Sequence, residues 1–315
     1  MSIYEKFQNP KNAVWTSILI TLVFGFMVII SQLISTYLIV PLGLDYLAEL
    51  FISFIIQFIF AGFACLVLIP FLFKTPKGIK PYKDFLQVIR LSNNKPIGKL
   101  LFIGITATIF VLFLSLFLTS IPGNLILTPE NVFGTPIQDK SMGWFGFIHN
   151  LIPGVWEEVY ARGIILAVLL RLYPKEGGRQ RRAIVIGGII FGCSHMLSIP
   201  MLISNPIFIL TQVVYASIIG IAFGYIAVGT GSLLPSIICH WLIDTFSVYI
   251  APSGNVILFL ILFMTGVIIA SVFIIVLMYQ TTNIGGFSKD KKEFGTRDFF
   301  TAMPSPETVA RNHGS

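Results

Sequence analysis

The sequence predicts an all-α membrane protein of about eight transmembrane helices with both termini cytoplasmic, and three observations carry that prediction. Of 315 residues, 55% are hydrophobic and only 11% are charged, whereas soluble domains carry about 25% charged residues. The mean hydropathy of +0.87 is incompatible with disorder over most of the chain, which requires low hydrophobicity and high charge. The apolar residues also gather into runs of about 20 or more, the length a helix needs to cross a hydrocarbon core of roughly 30 Å. In lipid a single segment satisfies its own backbone only as a helix.

Eight such runs lie at about 13–40, 47–73, 100–121, 144–170, 183–204, 207–228, 230–250 and 255–279. The first far exceeds the 7–15-residue core of a signal peptide and no convincing cleavage site follows, so it reads as a retained helix. After the second run, the 74–99 connection carries Lys74, Lys77, Lys80, Lys83, Arg90, Lys95 and Lys99 against Asp84 alone. After the fourth, the 171–182 connection carries Arg171, Lys175, Arg179, Arg181 and Arg182 against Glu176. The opposite loops hold Asp45 and Glu49, and Glu130, Asp139 and Lys140. Basic loops stay on the cytoplasmic side, which orients the chain. The formal charge of +7 therefore belongs to the inner membrane face, with membrane lipid as a partner and no role in nucleic-acid binding.

Within the 74–99 connection, Phe85, Leu86, Val88 and Ile89 among basic residues suit either an amphipathic helix on the inner leaflet or a solvated loop. In run four, Pro153–Gly154 is expected to bend or shorten the helix. In run five, Gly187, Gly188 and Gly192 place small residues at helical-turn spacing, which would let that backbone approach the glutamate helix of run four. Gly-Thr-Gly-Ser at 229–232 turns between runs six and seven. From Thr281 the composition changes to polar, dividing the chain into a polytopic domain, 1–280, and a flexible cytoplasmic tail, 281–315. Cys65, Cys193 and Cys239 lie inside apolar runs and read as small buried hydrophobes, not as a disulfide or zinc-ribbon framework.

The few ionisable residues inside the runs carry the functional signal. Glu157, Glu158, Arg162 and Asp244 would each cost about 2.5–3.5 kcal/mol if inserted singly at mid-bilayer, so they must share one polar site. His149, His195 and His240 lie in the fourth, fifth and seventh runs, so the whole set occupies three runs. Glu158 and Arg162 are four residues apart and can pair on one helical face, while Glu157 points about 100° away. Phe191 and His195 have the same spacing, as do His240 and Asp244. An ion-paired core that merely fixes packing accounts for Glu158 with Arg162, but leaves the rest of the cluster unexplained. A carboxylate beside a histidine at low dielectric suits activation of water, and a second histidine suits donation to an oxyanion. The same side chains, Glu157, His195 and His240, could instead hold zinc, although no HExxH spacing supports it. His149 reads as structural, and Trp144, Trp156 and Trp241 as interfacial or packing aromatics.

Three patterns occur in order on separate runs: Glu157-Glu158-x-x-x-Arg162, Phe191-x-x-x-His195 and His240-x-x-x-Asp244. Together they resemble the CPBP family of intramembrane proteases, which includes the eukaryotic CAAX-processing endopeptidase and bacterial relatives linked to bacteriocin processing or immunity. The resemblance covers about residues 143–250. It implies that Glu157 is the general base that activates water, helped by His195, and that Glu158 pairs with Arg162 to shape the site. It further implies that His240 stabilises the tetrahedral oxyanion with the residue at 244. The CAAX enzymes usually have Asn there. Asp244 can donate only when protonated, or it can orient His240 as an acceptor.

The expected protein is thus a multi-pass intramembrane endopeptidase of a bacterial plasma membrane that needs no cofactor. Its substrate would be a prenylated CAAX-type protein or a membrane-associated or secreted peptide precursor. Two alternatives compete: a non-proteolytic scaffold or bacteriocin-immunity protein that retains the protease fold, and a transporter with the acids as a proton relay. The latter lacks the paired broken helices of transporter halves.

Overall fold

Each of the eight apolar runs becomes a helical rod in the computed structural model, which describes residues 10–72, 97–120, 125–126, 148, 150–172, 179–197, 206–247, 251–252 and 256–281. The surface-helix alternative for 74–99 and the flexible tail beyond Thr281 lie outside the described residues.

Helix α1 (Pro10–Ile34) opens on a proline, where a missing backbone donor costs nothing. It continues through a π-helical turn, Ser35–Ile39, and a 3-10 turn, Val40–Leu42, and ends at Gly43 with φ +62°. Asp45 starts α2 (Tyr46–Phe63) by accepting a hydrogen bond from the Ala48 backbone N–H at 3.0 Å. The rod runs on through a π turn, Ala64–Leu68, into α3 (Ile69–Leu72). Helix α4 (Ile97–Ser120) follows. Rod four comprises α5 (Leu151–Glu158), a π segment, Val159–Ile165, and α6 (Leu166–Leu172). Then come α7 (Arg179–Ser194) with a 3-10 turn, His195–Leu197, α8 (Pro206–Thr230), α9 (Leu234–Ser247) and α10 (Val256–Thr281). One small ladder departs from the all-α expectation. Strand β1 (Leu125–Ile126) pairs antiparallel with β2 (Ala251–Pro252), joining the segments that follow α4 and α9.

Among the described residues, five rods are long and apolar enough to cross a membrane, at Val14–Leu42, Phe51–Leu68, Ile97–Ser120, Ile209–Thr230 and Leu258–Tyr279. The other three, α5–α6, α7 and α9, are the ones that carry the sequence patterns. Helix α9 has 14 residues, about 21 Å at 1.5 Å per residue, too short to span alone. Rod four is interrupted by its π segment. Helix α7 begins within the predicted basic loop, with Arg179, Arg181 and Arg182 in its first turn. Cations there oppose the helix dipole, but Arg181 donates to the Tyr279 hydroxyl and stacks over that ring at 4.5 Å, fastening α7 to α10. The outer faces of α1, α2, α4 and α10 expose large apolar side chains such as Phe26, Ile59, Phe113 and Phe273, as a lipid-facing surface requires.

Glycines decide which helices approach closely. A Cβ on Gly188 would stand 2.7 Å from the Ile221 backbone nitrogen, and one on Gly192 would collide with Ser217. The small-residue face of α7 therefore packs on α8, not on the glutamate helix as the sequence suggested; only Gly187 faces rod four, at ordinary contact with Leu166 and Leu169. The glutamate helix instead meets α9 through Gly154, where a Cβ would lie 2.8 Å from the Trp241 Cβ and 3.0 Å from its backbone. Pro153 falls in the first turn of α5, where its missing N–H costs no hydrogen bond within the helix. Gly154→Leu should force α5 away from α9 and lower stability by about 1–3 kcal/mol, measured as a fall in thermal unfolding temperature in detergent.

One other expectation changes. Cys193 is exposed, although Cys65 and Cys239 are buried. Trp156 is a packing residue, buried beneath Gly62 and edge-on to Phe58 at 5.2 Å. His149 and Trp144 lie outside the described residues.

Candidate active site

The glutamate pair sits where rod four passes from α-helical to π-helical winding. Arg162, inside the π segment, donates from Nη1 to Glu158 Oε1 at 2.6 Å. Both side chains are buried, at 0% and 3% exposure. Burial of such a pair is tolerable only when its remaining valences are met. The guanidinium lies over Phe191 at 4.2 Å and near Phe223 at 5.3 Å, and cation–π contact supplies part of what water would otherwise give. Gly220 makes room for it, since a Cβ there would stand 3.1 Å from Nη2. Glu158 Oε2 and Arg162 Nη2 are buried without a protein hydrogen-bond partner.

The two histidines are held differently. His240, on α9, donates from Nδ1 to the same Glu158 Oε1 at 2.9 Å. Its other nitrogen, Nε2, stands 3.4 Å from Asp244 Oδ2 and 3.8 Å from Glu157 Oε2. A bare lone pair facing carboxylate oxygens is repulsive, so this cluster accommodates a proton between Nε2 and the acids. His195, in the turn that ends α7, donates from Nδ1 to the carbonyls of Phe191 and Gly192 at 3.2 and 3.3 Å. In a neutral imidazole that leaves the lone pair on Nε2. Phe191 separates the histidines, with its ring edge-on to His195 at 5.2 Å and to His240 at 5.9 Å.

Glu157, His195, His240 and Asp244 all line one cavity of about 360 Å³, together with Phe191. Glu158 and Arg162 lie behind it. The spacing argument that turned Glu157 away from Arg162 corresponds to this division: Glu157 is partly exposed to the cavity at 29%, and Glu158 is sealed. Its ion-pairing contact, though, is with His240; His195 lines the same cavity.

Sequence reasoning missed two whole walls. Thr21, Phe24, Gly25, Val28, Ile29 and Gln32 of α1 form one, and Gln212, Tyr215, Ala216, Ile219 and Phe223 of α8 form another. The spacing of both sets is that of one helical face, but nothing in an unbroken apolar run marks which face meets a site. Tyr160, inside the glutamate pattern, anchors the α1 wall: it stacks flat on Phe24 at 4.4 Å and donates to Thr21 Oγ1 at 3.2 Å.

Zinc held by Glu157, His195 and His240 would need three ligand atoms around one point. Among the described residues no three His, Cys, Asp or Glu side chains are so arranged.

Apolar rods that enclose a cavity lined by acids and imidazoles define an integral, multi-pass membrane protein with a polar site in its interior. Residues 139–246 match the family model described as type II CAAX prenyl endopeptidase Rce1-like, so this stretch carries a domain of that family, consistent with an intramembrane protease of the CPBP type. The matched stretch contains all three sequence patterns, α8 included, and excludes α1. Comparison with curated proteins and with solved structures returned no match.

Proposed function

We propose that the chain is an intramembrane endopeptidase that hydrolyses a peptide bond with water activated by Glu157 and His195. The observation that carries the reading is the shared cavity: a carboxylate that is not consumed by Arg162 lines it together with an imidazole whose lone pair is on Nε2. A water held between them gives up its proton to Glu157 as its oxygen attacks the scissile carbonyl carbon. His240, with Asp244 beside it, is the donor to the oxygen that gains charge, while Glu158 and Arg162 keep His240 and the glutamate helix in register. Asp244 acts chiefly by orienting His240, because an ionised carboxylate only accepts. The low dielectric around the cavity strengthens each of these interactions.

Its volume, about 360 Å³, lies at the small end of ligand sites and suits a few extended residues rather than a folded domain. Apolar walls from Phe24, Val28, Ile29 and Ile219 suit a lipidated or apolar segment. The proposed substrate is therefore a prenylated CAAX-type protein or another membrane-associated peptide precursor.

The test uses the purified full chain in liposomes with two fluorogenic reporters of one sequence, one farnesylated at a CAAX end and one anchored by an acyl chain. Cleavage of either by the wild type, with strong loss in His195→Ala, is the expected result. Preference between the reporters identifies the substrate class. Equal rates in wild type and His195→Ala, or no cleavage of either reporter, would overturn the reading and leave a scaffold that retains the fold.

A further inference from the structure

The cavity has many acceptors and few uncommitted proton donors. Glu157 and Asp244 supply acceptor oxygens, and His195 presents a lone pair. The hydroxyls that line it are mostly spent: Tyr160 donates to Thr21, Thr21 to the Ser17 carbonyl at 2.9 Å, and Ser194 to the Phe191 carbonyl at 2.6 Å. Arg162 is committed to Glu158 and is not among the lining residues. His240 uses Nδ1 on Glu158 and has one further N–H to give, from Nε2 beside the Asp244 and Glu157 carboxylates, so it supplies a single hydrogen bond to the oxygen that gains charge. Beyond His240, three lining side chains carry N–H or O–H donors, Gln32, Gln212 and Tyr215, and Gln212 is hydrogen-bonded to the Tyr215 phenol oxygen, which leaves the phenol O–H to donate. Gln32 is exposed at the end of α1. Tyr215 lines the same cavity as Asp244 and Glu157 and lies within electrostatic reach of both.

Resting on the endopeptidase reading, we propose that Tyr215 is a further catalytic residue, donating its phenolic O–H to the carbonyl oxygen of the scissile bond as that oxygen becomes an oxyanion. When water attacks, the carbonyl π pair moves to oxygen and the water proton passes to Glu157. When the oxyanion collapses, the carbon–nitrogen bond breaks and the proton on Glu157 goes to the leaving nitrogen. Tyr215 keeps its own proton throughout. A neutral phenol suits the second donor, because it adds to the hydrogen bond from His240 without bringing another cation to pair with Glu157 and Asp244. Tyr215 belongs to the cavity-facing stripe of α8, with Gln212, Ala216, Ile219 and Phe223. The opposite side of α8 is fixed on α7 through Gly188 and Gly192. The phenol is thus carried by a rigid element, as preorganised stabilisation of charge requires.

Tyr215→Phe keeps the ring and deletes only the donor. With the liposome reporters, kcat should fall about 10²–10³-fold, the usual cost of one oxyanion donor, with KM and thermal unfolding temperature unchanged. Wild-type kcat in Tyr215→Phe, or a loss confined to KM, overturns the assignment. Glu157→Gln run in parallel separates the two levels: if it is inactive while Tyr215→Phe is not, only the role of Tyr215 falls; if both are fully active, the endopeptidase reading falls as well. Should Tyr215→Phe not fold, 3-fluorotyrosine at 215 keeps the shape and makes the phenol a stronger donor. Its kcat should then change at constant KM, and an unchanged kcat overturns the proposal.

Discussion

Glu157→Gln is expected to lower hydrolysis of the reporter peptides by about 10²–10⁴-fold, the range that a positioned general base contributes. The amide occupies the same volume and can still contact His240, but it cannot take a proton from water. Stability should change little. Glu157 is partly exposed to the cavity and its ion-pairing contact, to His240, is long at 3.8 Å, so no buried charge is stranded by the change. Single-turnover kinetics together with thermal unfolding separate the two effects. A variant with normal unfolding and normal turnover would show that another group activates the water.

The opposite profile is expected for Arg162→Met. Glu158 is fully buried, and Oε1 accepts from Arg162 at 2.6 Å and from His240 at 2.9 Å. Removing the guanidinium leaves a carboxylate in a low-dielectric interior with one partner in place of two, and breaking a buried pair from one side typically costs about 3–5 kcal/mol. The loss should appear in equilibrium unfolding in mixed detergent micelles. Adding Glu158→Gln to Arg162→Met should recover part of it, because the stranded charge is then gone; that non-additivity is the signature of direct coupling. An Arg162→Met protein within about 0.5 kcal/mol of wild type, the scatter expected of an unimportant substitution, would mean that the pair does not hold rod four.

These two residues differ by one turn and one neighbour, and the sequence distinguishes them only in part. Spacing of four turns Glu158 and Arg162 onto one helical face and sends Glu157 elsewhere, a property of the covalent chain that survives any packing. The same arithmetic pairs Phe191 with His195 and His240 with Asp244, and the structure has both pairs. Periodicity says nothing, however, of which helix lies opposite. The sequence placed Gly187, Gly188 and Gly192 against the glutamate helix, whereas Gly188 and Gly192 close on α8 and Gly154 receives α9. A glycine states that something comes near, not what. Nor did it show the π winding over Val159–Ile165, which no residue type in that stretch demands.

The sequence by itself determined the membrane class, the number and order of the rods and the need for one shared polar site, because transfer of charge and of unpaired backbone into lipid is prohibitive whatever the packing. Tertiary structure alone decided that His240 bridges the two glutamates, that His195 and Glu157 line one cavity, and that α1 and α8 supply the remaining walls. Those are contacts between helices far apart in the chain, set by which faces interlock at close approach, and an apolar face that meets a site looks in sequence like one that meets lipid.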